Sequence, residues 1–340
     1  MRVLVTGGGG FLGQAICRQL LEQGHQPIAF QRSAATALAG TGIQEHRGDI
    51  CRPGDVLAAA QGCEAVIHTA GKAGAWGDPA EYQAINVQGT QHVLDACHTL
   101  GISRLVFTSS PSVAHGGGDI EGGDESLPYP THYAAAYPRT KAAAERLVMA
   151  ANSGALKTVS LRPHLIWGPG DNQLLPRLVE RARRGSLKLP GADKLIDTVY
   201  IANAAHAHLL ALTALDCNPA CHGKTYFISN NDPWQQRTII AALLEAAGVD
   251  AQIKAIPAAT ARFAGALAEI WWTLARRADE PPITRWSAEQ LATAHWYNIS
   301  AAERDLGYKP QISMAEGLKL LTAARRTSNQ SKDPLLESTP

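Results

Sequence analysis

The sequence predicts an α/β chain built on a doubly wound parallel sheet, and three observations carry that expectation. Short, almost continuously apolar runs alternate with helical patterns through the first half. A glycine-rich turn follows the first of these runs directly. A later run ends in serines, at the strand end where ligands of such sheets gather.

In order, residues 2–5 read as a strand and residues 11–23 as a helix. Phe11, Leu12, Ala15, Ile16 and Leu20 fall on one face of that helix, and Gly24 stops it. Residues 27–30 and 65–68 are further strands. Asp78-Pro79 has the form of a cap followed by proline at a helix start, and the helix runs to Leu100 before Gly101. Residues 104–108 read as a buried strand, and residues 158–161 as another after a helix that ends near 152–154. Right-handed crossovers between such strands produce the doubly wound arrangement. Beyond a turn-rich stretch at 167–172 come a helix over 174–184 and a strand over 226–229. From Trp234 the pattern is mostly helical, and the polar stretch 327–340 is expected to be a mobile tail. No internal repeat is visible.

Composition narrows the function classes. With 45% hydrophobic residues in 340, the chain has ample material for a core. Lys plus Arg number 31 and Asp plus Glu 30, a formal charge of +1, which argues against a nucleic-acid binder. The start shows no secretory pattern and no stretch of about 20 apolar residues exists, so a cytoplasmic chain is expected. Six dilute cysteines without a CxxC pair speak against a disulfide scaffold. Cys217, Cys221 and His222 lie close in sequence but lack a second ligand pair, so no metal is expected.

The chemistry begins at Thr6-Gly7-Gly8-Gly9-Gly10-Phe11-Leu12-Gly13. Gly7 permits a tight turn, Gly10 lets the backbone approach a pyrophosphate, and Gly13 lets the helix pack on the sheet. The free N–H groups and positive helix end then attract phosphates. An NAD site would place an acid at the end of the second strand, but here stand Gln31-Arg32-Ser33. Arg32 can clamp a 2′-phosphate, which points to NADP. Asp49, in Gly48-Asp49-Ile50, is placed to accept an adenine amino group.

Tyr137 and Lys141 lie four residues apart in a segment that reads as helix, with Pro138 in its first turn. A free phenol has a pKa of about 10, and a nearby cation favours its ionised form. Lowering that value by about 3 units needs roughly 4 kcal/mol, which Lys141 and an oxidised nicotinamide ring are expected to supply. Tyr137 would then pass a proton to a carbonyl oxygen during reduction. A serine at the end of the preceding strand can orient that oxygen; Ser110 is favoured, with Ser109 and Ser112 as rivals.

Taken together, these residues resemble the extended short-chain dehydrogenase/reductase superfamily over about residues 1–325. His68-Thr69-Ala70-Gly71, Asn86 and Leu161-Arg162-Pro163 add to the likeness. Lys72-Ala73-Gly74-Ala75-Trp76-Gly77, Pro281-Pro282-Ile283-Thr284-Arg285 and the stretch Arg304 to Pro310 resemble its 3β-hydroxysteroid dehydrogenase branch. Closer still are bacterial members that reduce 2-alkyl-3-oxoalkanoic acids in long-chain olefin biosynthesis, through KAGAWG, PSVAH, LRPHLIWGPGDNQLLPRL and HWY.

The resemblance implies a Rossmann domain over 1–163, a smaller, mainly helical substrate domain over 164–326, and returns to the first near 195–215 and 225–230. It implies Ser110, Tyr137 and Lys141 as the catalytic triad. It implies Gly7, Gly10, Phe11, Leu12, Gly13, Arg32, Asp49, Ile50, Ala70, Lys141 and Pro163 around NADP. A long-chain β-keto acid would be the substrate, with a homodimer and a complex with olefin-pathway enzymes as assemblies. A hydroxysteroid or sterol-carboxylate dehydrogenase is the rival enzyme, and a nucleotide-binding sensor without turnover the rival of another class. Val113-Ala114-His115-Gly116 stands where many epimerases of the superfamily have VYG, which speaks against a sugar-nucleotide substrate.

A long-chain acid needs a cationic anchor and an apolar trough. Arg162, His164, Lys72 and Arg139 are the cation candidates, with packing or loop-tethering the favoured role for Arg162, and Trp76 and Trp167 are expected on loops facing the cleft, there to line it or only to cap hydrophobic edges. Phe263, Leu267, Ile270, Trp271 and Leu274 recur at helical spacing, flanked by Arg262, Arg276 and Arg277. That pattern reads as a core or lid helix, with a membrane-surface helix or a partner contact as alternatives.

Overall fold

The computed structural model describes residues 1–185, 187–277 and 279–330. Seven parallel strands form the main sheet: β1 (Arg2–Thr6), β2 (Gln26–Gln31), β3 (Gln44–Arg47), β4 (Ala65–His68), β5 (Arg104–Thr108), β6 (Lys157–Pro163) and β7 (Lys224–Ile228). Their order across the sheet is β7-β6-β5-β4-β1-β2-β3. The order reverses at β1, so the crevice beyond β1 and β4 is where such a sheet takes its ligand. Thr6 pairs with both Phe30 and His68, and Thr108 pairs with Leu161, which brings the carboxyl ends of the central strands level.

Alternation along the strands fills two cores. Val3, Val5, Val106 and Leu161 face one side, under α1 (Phe11–Glu22), while Leu4, Leu105 and Phe107 face the other, under α2 (Ala136–Ala150). A third helix, α3 (Ile201–Cys217), covers the first face, and most of its inward positions are Ala or Leu that pack close to the sheet. A third core gathers Trp167, Ile196, Tyr200, Ile240, Leu244, Met314 and Leu321 beyond the strand ends. There a small sheet orders Trp234–Gln235, Leu195–Ile196, His295–Tyr297 and Ile120–Gly123 side by side.

Three expectations change. Trp167 lies in the short strand Ile166–Trp167, pairs with Val199–Tyr200, and is fully buried with its indole N–H on Thr198 Oγ1 at 2.9 Å. It therefore braces the third core and does not line the cleft. The last helix, Met314–Gln330, runs past the expected tail start at 327, because Met314, Leu318 and Leu321 seat it on that core and let it propagate; the rest of the tail, 331–340, lies outside the described residues. Helix α4 (Ala258–Leu274) is no core helix, since Phe263, Leu267, Ile270, Trp271 and Leu274 are 51–75% exposed and only Ala261 and Gly265 are buried. Small residues, not the aromatic ones, form its seat against α5 (Arg285–Ala292), where Gly265 meets the Thr284 backbone.

Candidate active site

Two cavities, of about 470 and 450 Å³, meet at Gly7, Ala70 and Gly71 on the carboxyl side of the sheet. Between them they are lined by every cofactor-site residue named from the sequence except Lys141. Gly7, Gly10, Phe11, Leu12, Gly13, Ala70 and Pro163 line the first. Arg32, Asp49 and Ile50 line the second with Gly7 and Ala70.

The glycine turn is dictated by contact. Gly7 has φ +70°, and a Cβ there would press on Thr69 Oγ1 and the Ala70 backbone at about 3 Å. A Cβ on Gly13 would collide with the Gly7 carbonyl. At Gly10 an added Cβ would meet protein only at that same carbonyl, 3.1 Å away, so its other side is open to the cavity. The first turn of α1 has no side-chain cap and no acid. Its free amides and dipole thus suit a phosphate, and the cleft on either side has room for an extended, two-armed ligand.

Two buried side chains organise the β4 loop. His68 Nδ1 lies 2.6 Å from Thr6 Oγ1 and its Nε2 2.9 Å from Thr90 Oγ1. Burial, then nearby Lys141, pushes the His68 pKa down to about 3, so the ring is a neutral strut. Asn86 accepts the Lys72 N–H at 2.7 Å and donates to the Lys72 carbonyl and to Thr140 Oγ1, both at 3.0 Å. It sits in a π-helical segment, Gln83–Gln88, inside the run from Pro79 to Leu100. The wider turn aims Asn86 between the loop and α2; sequence periodicity predicts only an ordinary helix there.

Tyr137, Lys141 and Glu145 share one face of α2 at i, i+4 and i+8. Tyr137 lines the first cavity beside Ser110 and Ser112. Ser110 Oγ lies 2.9 Å from Ser112 Oγ, and Ser109 is buried with its backbone N–H on the Leu161 carbonyl. Burial raises the Tyr137 phenol pKa and a hydrogen bond with Ser110 opposes it. Lys141, one turn further along α2, is buried. Its ammonium is committed to the Thr108 carbonyl at 2.6 Å and stands 4.1 Å over the Phe107 ring. Desolvation lowers Lys141 itself to about 7, with Glu145 pulling the other way. Lys141 lies behind the cleft wall, near Gly71.

The cation candidates separate clearly. Arg162 is buried, with Nε and Nη2 on the two Glu145 oxygens at 3.0 and 2.6 Å, so it ties β6 to α2 and does not meet a substrate. Lys72 pairs with Glu81 and borders the second cavity. Arg139 is exposed on α2. His164 lines the first cavity. Trp76 is half-buried, and its carbonyl accepts the Tyr82 hydroxyl at 3.0 Å.

Sequence reading missed Trp286 and Gln290. Both project from α5 into the first cavity. Trp286 makes an edge contact with the Tyr137 ring, centroids 6.2 Å apart, and Gln290 Nε2 lies 2.8 Å from His115 Nδ1. Leu165, at φ +45° and 39% exposed, adds an apolar side chain to the same wall. No local signal marks these residues, since only the tertiary fold carries α5 over the strand ends.

A glycine cradle at the sheet's switch point, with Tyr137, Ser110 and Ser112 in the wall of the adjoining cavity, has the geometry of a dinucleotide-type site. The chain belongs to the 3-beta hydroxysteroid dehydrogenase/isomerase family, whose pattern matches residues 4–257, and this is a family of oxidoreductases. Over 327 residues it is 52% identical to the 2-alkyl-3-oxoalkanoate reductase of Stenotrophomonas maltophilia (strain K279a), spanning 95% of this chain and 99% of that one. The 2-alkyl-3-oxoalkanoate reductase of Shewanella oneidensis is 43% identical over 329 residues, 94% of this chain and 85% of its own. Among solved structures, the UDP-glucose 4-epimerase of Thermus thermophilus, in complex with NAD, superposes with a TM-score of 0.73 at 25% identity, covering 96% of this chain and 99% of that one.

Proposed function

We propose that this chain is an NADPH-dependent reductase of the 3-oxo group of long-chain 2-alkyl-3-oxoalkanoic acids. The observation that carries the chemistry is Tyr137, its phenol pKa raised by burial, beside Ser110 in the wall of a cavity that opens onto the glycine cradle. The names of the two bacterial relatives support the substrate class.

Gly7, Gly10 and the first amides of α1 would hold the pyrophosphate of the cofactor, Asp49 and Ile50 the adenosine, and Ala70 and Pro163 the nicotinamide end, with Lys141 behind that wall. Bound there, the nicotinamide supplies a hydride to the keto carbon. Arg32 borders the adenosine-side cavity, and no acid replaces it at the end of β2, which supports NADP over NAD. Ser110 orients the keto oxygen through its hydroxyl. Tyr137 donates its phenolic proton to that oxygen, a role suited to a phenol that burial keeps protonated. Lys141, buried beneath, places a positive charge where the resulting phenolate forms. Phe11, Leu12, Leu165, Ile166, Leu174 and Trp286 give the cavity the apolar walls that alkyl chains require.

The test is oxidation of a racemic 2-alkyl-3-hydroxy acid with NADP, followed at the nicotinamide absorbance, beside a 3β-hydroxysteroid and a sterol carboxylate. Turnover of the hydroxy acid at least tenfold above the steroids is expected. Preference for a steroid would move the assignment to the hydroxysteroid reading, and turnover of none would overturn both.

A further inference from the structure

Among the side chains that line the first cavity, His164 is the one basic group in the described residues. It follows immediately on β6, while Ser110 lies two residues beyond β5. The β5–β6 register pairs Thr108 with Leu161, and the Ser109 N–H continues it to the Leu161 carbonyl. Extending it pairs Ser110 with Pro163, so the backbones of Ser110 and His164 lie on the order of 6 Å apart on neighbouring strands.

The imidazole is fixed. Nδ1 donates to Asp197 Oδ1 at 2.6 Å, and Asp197 Oδ2 accepts the Tyr297 N–H at 3.0 Å. Asp197 is 1% exposed. The ring meets Tyr297 and His295 edge-on, with centroids 5.2 and 6.0 Å away. Nε2 has no partner among the described residues, and with Nδ1 committed to the Asp197 carboxylate it is the ring nitrogen left to meet a ligand. The neighbouring rings do not compete: burial pushes the His295 pKa down to about 2 and lowers that of His115. Among the described residues the one acid on the cavity wall, Asp171, is already occupied in accepting the backbone N–H groups of Gln173, Leu174 and Leu175.

Resting on the reductase reading, we propose that His164, held by Asp197, is the carboxylate anchor of the substrate site. A 3-oxo acid carries its carboxylate two carbons from its ketone. The anchor must therefore stand next to the group that orients the keto oxygen, which is the relation of His164 to Ser110. A carboxylate drawn into this cavity needs a charge-assisted hydrogen bond to offset its lost hydration, and Nε2 supplies it. Asp197 acts through His164 as a positioning residue. The two alkyl chains are left to the apolar residues of the same cavity.

The experiment compares kcat/KM for a racemic 2-alkyl-3-hydroxy acid and its methyl ester, with NADP, in the wild type and in His164→Gln. Glutamine keeps a hydrogen-bond donor and loses the charge. The acid-to-ester ratio is expected to fall about 10–100-fold, the worth of one charge-assisted hydrogen bond. An unchanged ratio in a variant that melts like the wild type overturns the anchor. The wild type alone gives a second readout that does not depend on the variant's folding: calorimetric binding of acid and ester. Tighter binding of the acid supports the anchor, and equal binding refutes it. Equal turnover of acid and ester by the wild type would remove the anchor and leave the reductase reading standing. Failure of the wild type to oxidise or bind either compound removes both.

Discussion

Replacing Arg162 by methionine tests the division of labour among the cations. The Glu145 carboxylate accepts from Arg162 Nε and Nη2, from Ser160 Oγ at 3.0 Å and from the Tyr129 hydroxyl at 2.7 Å. The two charged side chains are 3% and 0% exposed, so solvent does not screen the pair. Burial alone would push the Glu145 carboxyl up, yet the Arg162 guanidinium holds it below its ordinary value. Removing Arg162 strands a buried carboxylate, at a cost of about 3–5 kcal/mol. For a chain of this size that is a fall of roughly 4–7 °C in the melting midpoint. The double variant Glu145→Leu/Arg162→Met should recover part of the loss, because it removes both charges together. The pH dependence has a definite sign. A carboxyl depressed in the folded state contributes stability above its unfolded pKa of about 4.3 and loses it as pH falls, so the gap between wild type and single variant should narrow in acid. Circular dichroism melts at neutral pH and at about pH 4 read both effects. A single variant that melts within about 2 °C of the wild type at neutral pH would refute the structural assignment of Arg162.

Other outcomes follow from the same geometry. Tyr137→Phe should lower kcat about 10²–10⁴-fold while leaving cofactor binding, read by nicotinamide fluorescence, in place; undiminished turnover would remove the phenol as proton donor. Arg32→Ala should raise KM for NADPH about tenfold or more and leave NADH nearly unaffected, and an unchanged preference would defeat the cofactor assignment. Lys141, lowered to about 7 chiefly by desolvation, loses its charge as pH rises through that value. kcat/KM for reduction should therefore fall on the alkaline side with a midpoint near 7, and a profile flat from about pH 6 to 9 would show that the lysine charge is not needed.

What the sequence displays of this site is what local periodicity can encode. β5 carries the unbroken apolar run Leu105-Val106-Phe107, because both its faces are covered, and so its place in the sheet is legible, whereas β6 alternates Val159 and Leu161 with Thr158, Ser160 and Arg162. The glycine turn is legible because steric demands at Gly7 and Gly13 exclude other residues. The four-residue spacing of Tyr137 and Lys141 sets them on one face of α2, but spacing says nothing of where an ammonium points. The carbonyl that captures Lys141 belongs to Thr108, 33 residues away. Arg162 illustrates the same limit, since its type suits a substrate carboxylate and only the opposing Glu145 reveals its partner. Helix α4 shows that a periodic apolar face predicts a face and not its cover. Its small residues make the contact with α5, while Phe263 and Trp271 stay exposed. The substrate end was least legible because it is assembled from chain segments more than a hundred residues apart. Tyr137 from α2 meets Trp286 from α5, and His164 after β6 meets Tyr297. The cradle is thus contiguous in sequence and the specificity pocket is not, so relatives that share the glycine turn and the Tyr–Lys pair can still differ in what they reduce.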